Sequence, residues 1–328
     1  MWMNAWHACQ WPDGWLKHCF METLVIINPA AGGGRVGRRW PGIEAELRGT
    51  IGVFEHAITK PGRGAQAMAA EAVGKGFQRV IAVGGDGTVN EVINGLAEGT
   101  DDRAIGPSLG LVSLGTGNDF ARAFGLHGGL KAALGALRAG QTRDVDLGHM
   151  QFIGSDGQQQ SRWFGNVANI GLAGEVTGAT QNSRLVKLVG GRLAYPLKAI
   201  SVLRHYGGRE ITMQRDEAAP QTLDVLSIAI ANAPYFGSGM KIAPHAELDD
   251  GLLDVIVIAR GPKVRARDIA LLYKGQHLSH PAVTHFKARK LNFKPADGQS
   301  VLCDADGELF GCLPCRVEVH PRKLRVIV

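Results

Sequence analysis

The run Val83-Gly84-Gly85-Asp86-Gly87-Thr88-Val89-Asn90-Glu91-Val92 puts backbone donors, a carboxylate and a helix start where a nucleotide phosphate would sit. Gly84, Gly85 and Gly87 lack a Cβ, so the loop can take positive φ and bring its N–H groups close to an anion, assisted by the N-terminus of the next helix. Asp86 sets the chemistry. A carboxylate repels phosphate unless a metal ion or water lies between them, so the loop suits a magnesium nucleotide better than bare phosphate. Phosphoryl transfer needs in-line geometry, charge neutralisation and a base for the attacking hydroxyl, and asks little covalent chemistry of the protein. Taken alone, the loop also reads as a strand-to-helix turn in which Asp86 serves turn chemistry only.

Two further segments repeat the grammar. Thr23 to Ile27 runs into Asn28-Pro29-Ala30-Ala31-Gly32-Gly33-Gly34-Arg35, and Leu109 to Leu114 runs into Gly115-Thr116-Gly117-Asn118-Asp119-Phe120-Ala121-Arg122. In an open parallel α/β sheet, ligands bind beyond the carboxyl ends of the strands, so the loops are expected to converge on one crevice. There Asp86 and Asp119 would together hold the magnesium of the nucleotide. Neither familiar fingerprint fits: no G-x-x-x-x-G-K-[ST] occurs, and Gly115-Thr116-Gly117 lacks the third glycine of the dinucleotide motif.

A base is best sought in Asp306-Gly307-Glu308, where glycine lets the chain turn tightly and brings two carboxylates into nearby space. A solvated hairpin turn is the alternative there, and at Asp249-Asp250-Gly251. His277, His280 and His285 invite a zinc reading, but no nearby acid completes a ligand set, which favours a structural role. Cys312-x-x-Cys315 has no second pair and apolar flanks, so inert core thiols are expected.

These residues need elements to hold them. Val80 to Val83 reads as a buried strand, and Val89, Val92, Ile93 and Leu96 as a helix starting at Thr88, with Thr88 and Glu91 in capping-box spacing. Arg38 to Leu47 reads as a helix despite Pro41, Gly52 to Ala57 as a strand, and an alanine-rich helix follows Thr59-Lys60-Pro61-Gly62 through Val73. Strand and helix alternate through a Leu130 to Leu137 helix, the pattern of a parallel sheet. From Asp144 the texture changes to alternating segments such as Trp163 to Ile170, Asp224 to Ile230, Asp254 to Ile258 and Cys315 to Val319, which indicate antiparallel strands. The expected division is therefore an extension at 1–21, a nucleotide-binding α/β domain at 22–145, an all-β domain at 146–320 and a terminal strand at 321–328. Arg184 to Tyr206 is the long helical candidate of the second domain, expected to cover its sheet, with a lipid-facing basic amphipathic helix as the alternative. Ser155 to Ser161 reads as a solvated hairpin tip.

With 328 residues, 45% hydrophobic and 20% charged, the chain is long enough for two cores and is not disordered in composition. The odd count of 5 scattered cysteines suggests no disulfide framework and points to a reducing cytosol. No apolar run approaches a membrane span, so contact with a membrane would be peripheral. A net charge of +6 suits an anionic surface, and spread basic residues with 6% aromatics argue for lipid over nucleic acid. The first residues carry Trp2, Trp6, Trp11 and Trp15 without a signal-peptide pattern, and are given no function.

Asn28-Pro29 with its glycines, Gly84 to Thr88, Gly115 to Arg122, Asp249-Asp250-Gly251-Leu252-Leu253-Asp254 and Asp306-Gly307-Glu308, in this order and spacing, resemble the diacylglycerol-kinase catalytic-domain family over residues 22 to 328. The Gly84 to Thr88 motif alone is shared with NAD kinases and phosphofructokinases. The resemblance implies a phosphofructokinase-like and NAD-kinase-like first domain, a β-sandwich second domain that accepts the lipid, and a terminal strand returning to the first domain. It implies ATP and Mg2+ as cofactors, with Asn28, Pro29, Ala30, Ala31, Gly32, Thr59, Gly85, Asp86, Gly87, Thr88, Val89, Asn90, Glu91, Thr116 and Asn118 at the nucleotide. It implies Asp306 as proton acceptor, Glu308 as a supporting carboxylate, and a structural magnesium on Asp250 with the carbonyls of Glu247 and Leu252. The activity implied is transfer of the γ-phosphate of ATP to a lipid hydroxyl, diacylglycerol first, at the inner membrane face. Another lipid (a sphingoid base, ceramide or phosphatidylglycerol), NAD, or a non-enzymatic lipid-binding role are the rivals. A homodimer is left open.

Overall fold

The computed structural model describes residues 22–62, 64–100, 106–181, 198–261 and 268–328. The extension at 1–21 and most of the expected Arg184 to Tyr206 helix lie outside the described residues; of the latter, 198–203 is helical.

Four parallel strands, β1 (Thr23–Ile27), β2 (Glu55–Ile58), β3 (Arg79–Gly84) and β4 (Ser108–Ser113), lie in the order β2-β1-β3-β4. Side chains alternate across a strand, so each apolar run supplies two faces. Val25, Ile27, Ile81, Val83 and Val112 pack against α1 (Ala31–Ile51) and α5 (Leu130–Ala139). Leu24, Ile26, Val80, Ala82 and Leu111 pack against α2 (Ala65–Gly74) and α3 (Asp86–Gly99). The expected Arg38 to Leu47 helix is the regular part of α1, whose opening residues Gly32, Gly33 and Gly34 have φ of 61°, 68° and 80°. A short helix α4 (Asp119–Ala123) follows the third loop.

The second half is antiparallel throughout: β5 (Thr142–Gly154), β6 (Gln159–Phe164), β7 (Val167–Gly171), β8 (Arg209–Arg215), β9 (Gln221–Ala231), β10 (Leu253–Ala259), β11 (Val283–Ala288), β12 (Lys290–Pro295), β13 (Leu302–Ala305) and β14 (Glu308–Ile327). Helices α6 (Leu172–Gln181) and α7 (Ile269–Lys274) are inserted among them. The single Trp163 to Ile170 strand expected from the sequence is two strands, β6 and β7, broken at Gly165-Asn166. The two layers are joined edge to edge. Pairings run β9-β8-β12-β14-β13-β7 and back to β9, a closed ring around Phe164, Ile228, Leu291, Phe293 and Val317. Closure removes two exposed sheet edges.

β14 is 20 residues long and pairs with β5 from Gly311↔Gly154 to Ile327↔Thr142, while Val326 pairs in parallel with Leu109 of β4. Residue 145 thus lies inside a strand, and the chain passes between the two cores without a linker. This continuous β5 and β14 ribbon holds the turn before β14 against the first domain. Buried Asp146 fixes its irregularity by accepting N–H bonds from Arg322 (2.8 Å) and Gly251 (2.7 Å). The residues around Ser155 form the exposed tip between β5 and β6.

Candidate active site

The first loop leaves β1 at Asn28, whose N–H donates to the Val83 carbonyl (3.0 Å) and whose Oδ1 accepts from the Ala30 N–H (3.1 Å). Its Nδ2 donates to Thr88 Oγ1 at 3.0 Å, tying this loop to α3. The capping-box expectation is therefore corrected. Helix α3 begins at Asp86 with Gly85 at its N-cap, Thr88 is engaged by Asn28, and Glu91 Oε2 accepts from the Ala65 N–H (2.6 Å) at the start of α2. Thr59 follows β2 beside the same loop, its N–H donating to the Ile27 carbonyl (2.8 Å).

The glycines of the second loop also differ from expectation: none of Gly84, Gly85 or Gly87 has positive φ. Close approach instead requires Gly84 here, and Gly115 and Gly117 in the third loop. A Cβ on Gly84 would lie 2.4 Å from Thr88 Oγ1, one on Gly115 would lie 2.9 Å from the Gly85 Cα, and one on Gly117 would lie 2.6 Å from Asp86 Oδ2. The second and third loops thus pack backbone against backbone. Among the three loops, left-handed glycines are confined to the first, where Gly32, Gly33 and Gly34 turn the chain into α1 and the Gly34 N–H donates to the Ala30 carbonyl (3.0 Å).

Asp86 fastens the third loop. Its Oδ2 accepts from the Asn118 N–H (2.7 Å) and its Oδ1 from the Asp119 N–H (2.8 Å), with Asn118 itself left-handed at φ 56°. Burial pushes the Asp86 pKa up, and these N–H groups oppose it. Asp119 differs. One oxygen accepts from the Ser238 N–H (2.8 Å), but Oδ1 is buried with no hydrogen bond, as is Asn118 Oδ1. Burial first, and the charge of Asp86 second, push the Asp119 pKa up to about 6. Orphaned buried acceptors are what a cation would satisfy. The residues therefore fit a magnesium ion at Asp119, with the Asp86 carboxylate, whose oxygens each accept one N–H of the third loop, beside it. Arg122 lies 3.9 Å from Asp119 Oδ1 and over the Tyr235 ring, between the third loop and the second domain. Thr116 is exposed at the rim.

The Asp306-Gly307-Glu308 turn is brought to the start of α3, and its two carboxylates stand in different surroundings. Asp306 (φ 50°) accepts four bonds: from the Gly165 N–H (2.9 Å) and Asn90 Nδ2 (2.9 Å) on Oδ2, and from the Asn166 (2.9 Å) and Val167 (3.0 Å) N–H groups on Oδ1. A carboxylate has about four lone-pair sites. All are used, so Asp306 is a fastener of the 165–167 turn and not an open proton acceptor. Glu308 is the open one. Its side chain is 33% exposed, its Oε2 lies 3.7 Å from Arg162 Nη2, and its Oε1 lies 3.4 Å from where a Cβ on Gly87 would be. Burial, then Glu91 and Asp306, raise the Glu308 pKa, and Arg162 opposes them.

An apolar cavity of about 120 Å³ lies over β7, β9 and β10, roofed by α6, α7 and 198–203. Leu172, Val176, Leu226, Met240, Ile258 and Leu272 line it. No local pattern announces it, since its walls come from segments far apart in the chain. At its floor Asn169 donates to buried Asp304 (2.9 Å), which also accepts from Thr177 of α6 (3.0 Å), and burial pushes the Asp304 pKa up to about 7.

Asp250, expected at a structural magnesium with the carbonyls of Glu247 and Leu252, is satisfied from within the chain. Oδ1 accepts from the Leu252 N–H (3.0 Å), and Oδ2 takes Lys287 Nζ at 2.6 Å. Lys287 thus supplies a positive charge at Asp250 Oδ2. Among the described residues no group of three or more His, Cys, Asp or Glu could hold a metal. His277 Nε2 pairs with the Ile242 carbonyl (2.8 Å) and His285 with Asp254 (2.6 Å), both structural roles. Cys303 and Cys315 are buried free thiols pushed up in pKa by burial.

Residues 22–150 match the model of the diacylglycerol kinase catalytic domain, and 166–328 that of the YegS C-terminal NAD kinase beta sandwich-like domain. The diacylglycerol kinase of Bacillus subtilis is 32% identical over 264 residues, 79% of this chain and 80% of that protein. That of Staphylococcus saprophyticus is 30% identical over 295 residues, 89% of this chain and 90% of that protein. The crystal structure of a diacylglycerol kinase from Bacillus anthracis superposes with a TM-score of 0.67 at 21% identity, covering 94% of this chain and 97% of that one, a likeness of fold. With loops, turn and β-rich domain in one arrangement and these relatives at this identity, the chain belongs to the diacylglycerol kinase family.

Proposed function

We propose that this protein transfers the γ-phosphate of ATP to a lipid hydroxyl, with diacylglycerol as acceptor and phosphatidic acid as product. The observation that carries the reading is Glu308: an open carboxylate set against the phosphate-facing start of α3, in the same domain as the apolar cavity. The first-loop N–H groups and the N-terminus of α3 bind the phosphates of the nucleotide. Asp119 and Asn118 would hold its magnesium, which supplies neutralisation of phosphate charge when bound. Glu308 accepts the proton of the lipid hydroxyl as that oxygen attacks, and Asp306 holds the turn that aims Glu308. The cavity takes acyl chain, excluding water from the acceptor end. No helix among the described residues is long and apolar enough to cross a membrane, and the net charge of +6 favours peripheral docking on anionic lipid.

The test is incubation of the protein with labelled ATP, magnesium and vesicles containing diacylglycerol, beside parallel reactions with a total lipid extract and with NAD. Label in phosphatidic acid is expected. Label in NADP alone, or no labelled lipid in any vesicle or detergent, overturns the reading.

A further inference from the structure

Arg162, on β6, is anchored before it meets Glu308. Its Nη1 donates to Gln66 Oε1 of α2 at 2.7 Å, and Gln66 is itself held by Glu98 of α3 through bonds of 3.0 and 2.8 Å. The guanidinium lies 4.8 Å over the ring of Phe310, two residues after Glu308 on β14. Its side chain is 17% exposed. A planar, permanently charged group fixed on two sides has little freedom left to lose.

Nη2 stops 3.7 Å from Glu308 Oε2, beyond a normal hydrogen bond. That gap has a consequence. A bidentate pair would occupy Glu308 as four donors occupy Asp306, whereas a guanidinium at this distance acts by charge and leaves the lone pairs open. Among the described residues, the charged groups facing Glu308 are Arg162, Glu91 of α3 and Asp306, so Arg162 is the sole cation opposing two carboxylates.

Resting on the reading of Glu308 as proton acceptor, we infer that Arg162 is a positioning residue: it keeps Glu308 ionised and aimed past Gly87 without consuming the oxygens that receive the proton. Through Gln66 it also links the base to the nucleotide-binding domain.

The test is the pH dependence of kcat in R162M and R162K. Without the cation, burial, Glu91 and Asp306 act on Glu308 unopposed, so the acid limb of R162M moves up by about one pH unit, a tenfold loss of rate on that limb. KM for MgATP stays within about twofold, and R162K, which keeps the charge, returns the limb toward the parent position. A folded R162M whose acid limb does not move overturns the inference. Should R162M not fold, Q66L keeps the cation and frees its anchor: a severalfold fall in kcat at unchanged KM for MgATP is expected, and an unchanged kcat overturns the inference. E308Q separates the two readings. Full activity in E308Q removes Glu308 as base, whereas an inactive E308Q beside an unshifted R162M removes only the role of Arg162.

Discussion

Asp86 with Asp119 in the first domain and Asp306 with Glu308 in the second are two acidic pairs built alike. In each, one carboxylate is spent on backbone N–H groups and fastens a turn, while its neighbour keeps an oxygen open. Their open members differ. Asp119 Oδ1 is buried without a hydrogen bond, beside the Asp86 carboxylate and 3.9 Å from the Arg122 guanidinium, whereas Glu308 is one-third exposed with a guanidinium 3.7 Å away. We read the buried oxygen that lacks a hydrogen bond beside a second carboxylate as suited to a metal cation, and the one-third-exposed carboxylate as suited to a proton. Surroundings, not residue type, divide the labour.

The sharpest way to break this comparison is to exchange the members of the second pair. E308Q removes the proton acceptor and should lower kcat by about 10²- to 10⁴-fold while the thermal midpoint stays near the parent value. D306N should act mainly on stability. Its amide nitrogen cannot accept from the 165–167 turn, and each buried N–H left unpaired costs about 1–3 kcal/mol. Melting curves and single-turnover rates on both variants decide the matter. A D306N protein with an unchanged midpoint and no turnover would return the base to Asp306.

The first pair is tested through pH. The Asp119 pKa is raised from 3.8 to about 6, so the metal-free folded chain holds a proton there that the unfolded chain has lost. Its contribution to stability is therefore greatest below about pH 4, falls as pH rises toward 6, and is flat above. Magnesium competes with that proton. Added Mg2+ should raise the thermal midpoint at pH 7.5 by a few degrees, with little effect at pH 5 and none in D119N. An equal magnesium shift in D119N would place the ion elsewhere.

Asp250 provides the contrast of a carboxylate with no oxygen left for either task. Lys287 bonds it at 2.6 Å and lies 3.7 Å from Asp254. K287M should leave Asp250 without its cation, Asp254 keeping His285, and cost about 1–3 kcal/mol, read as a lower midpoint in the presence of EDTA. Magnesium should then restore part of the loss in K287M and have no such effect at this site in the parent. A K287M chain as stable as its parent would show that Asp250 needs no cation.

The first domain was legible because its strands are continuous apolar runs ending in glycine, and each loop follows its strand directly. The capping box was misread since Thr88 is captured by Asn28, 60 residues away, and Glu91 by another helix. The bonds that hold Asp306 are illegible for the same reason: its backbone donors lie about 140 residues upstream, on a turn whose backbone no local pattern describes. Ring closure of the second domain and the cavity over it depend on pairings between β8, β9 and β12 that alternation alone cannot assign. Local chemistry identified which residues matter, and long-range partners decided what each does.

The smallest effect concerns the glycines, which serve different ends in the two nucleotide loops. On Gly84 a Cβ would meet Thr88 Oγ1 at 2.4 Å and Thr88 Cβ at 2.6 Å, so G84A must displace Thr88 from Asn28. Overpacking of this kind costs about 1–3 kcal/mol, and parting the two loops should raise KM for ATP. On Gly33 a Cβ would meet nothing within 4 Å. Only the backbone objects there, since φ is 68° and an L residue in that region costs about 1–2 kcal/mol. G33A should therefore fold with a small loss of stability, and its KM for ATP should rise only as far as the loop relaxes toward negative φ. Titration of ATP against both variants ranks them. If G33A weakens ATP more than G84A does, the phosphates depend chiefly on the left-handed turn after β1, and the contact between the second and third loops is scaffolding.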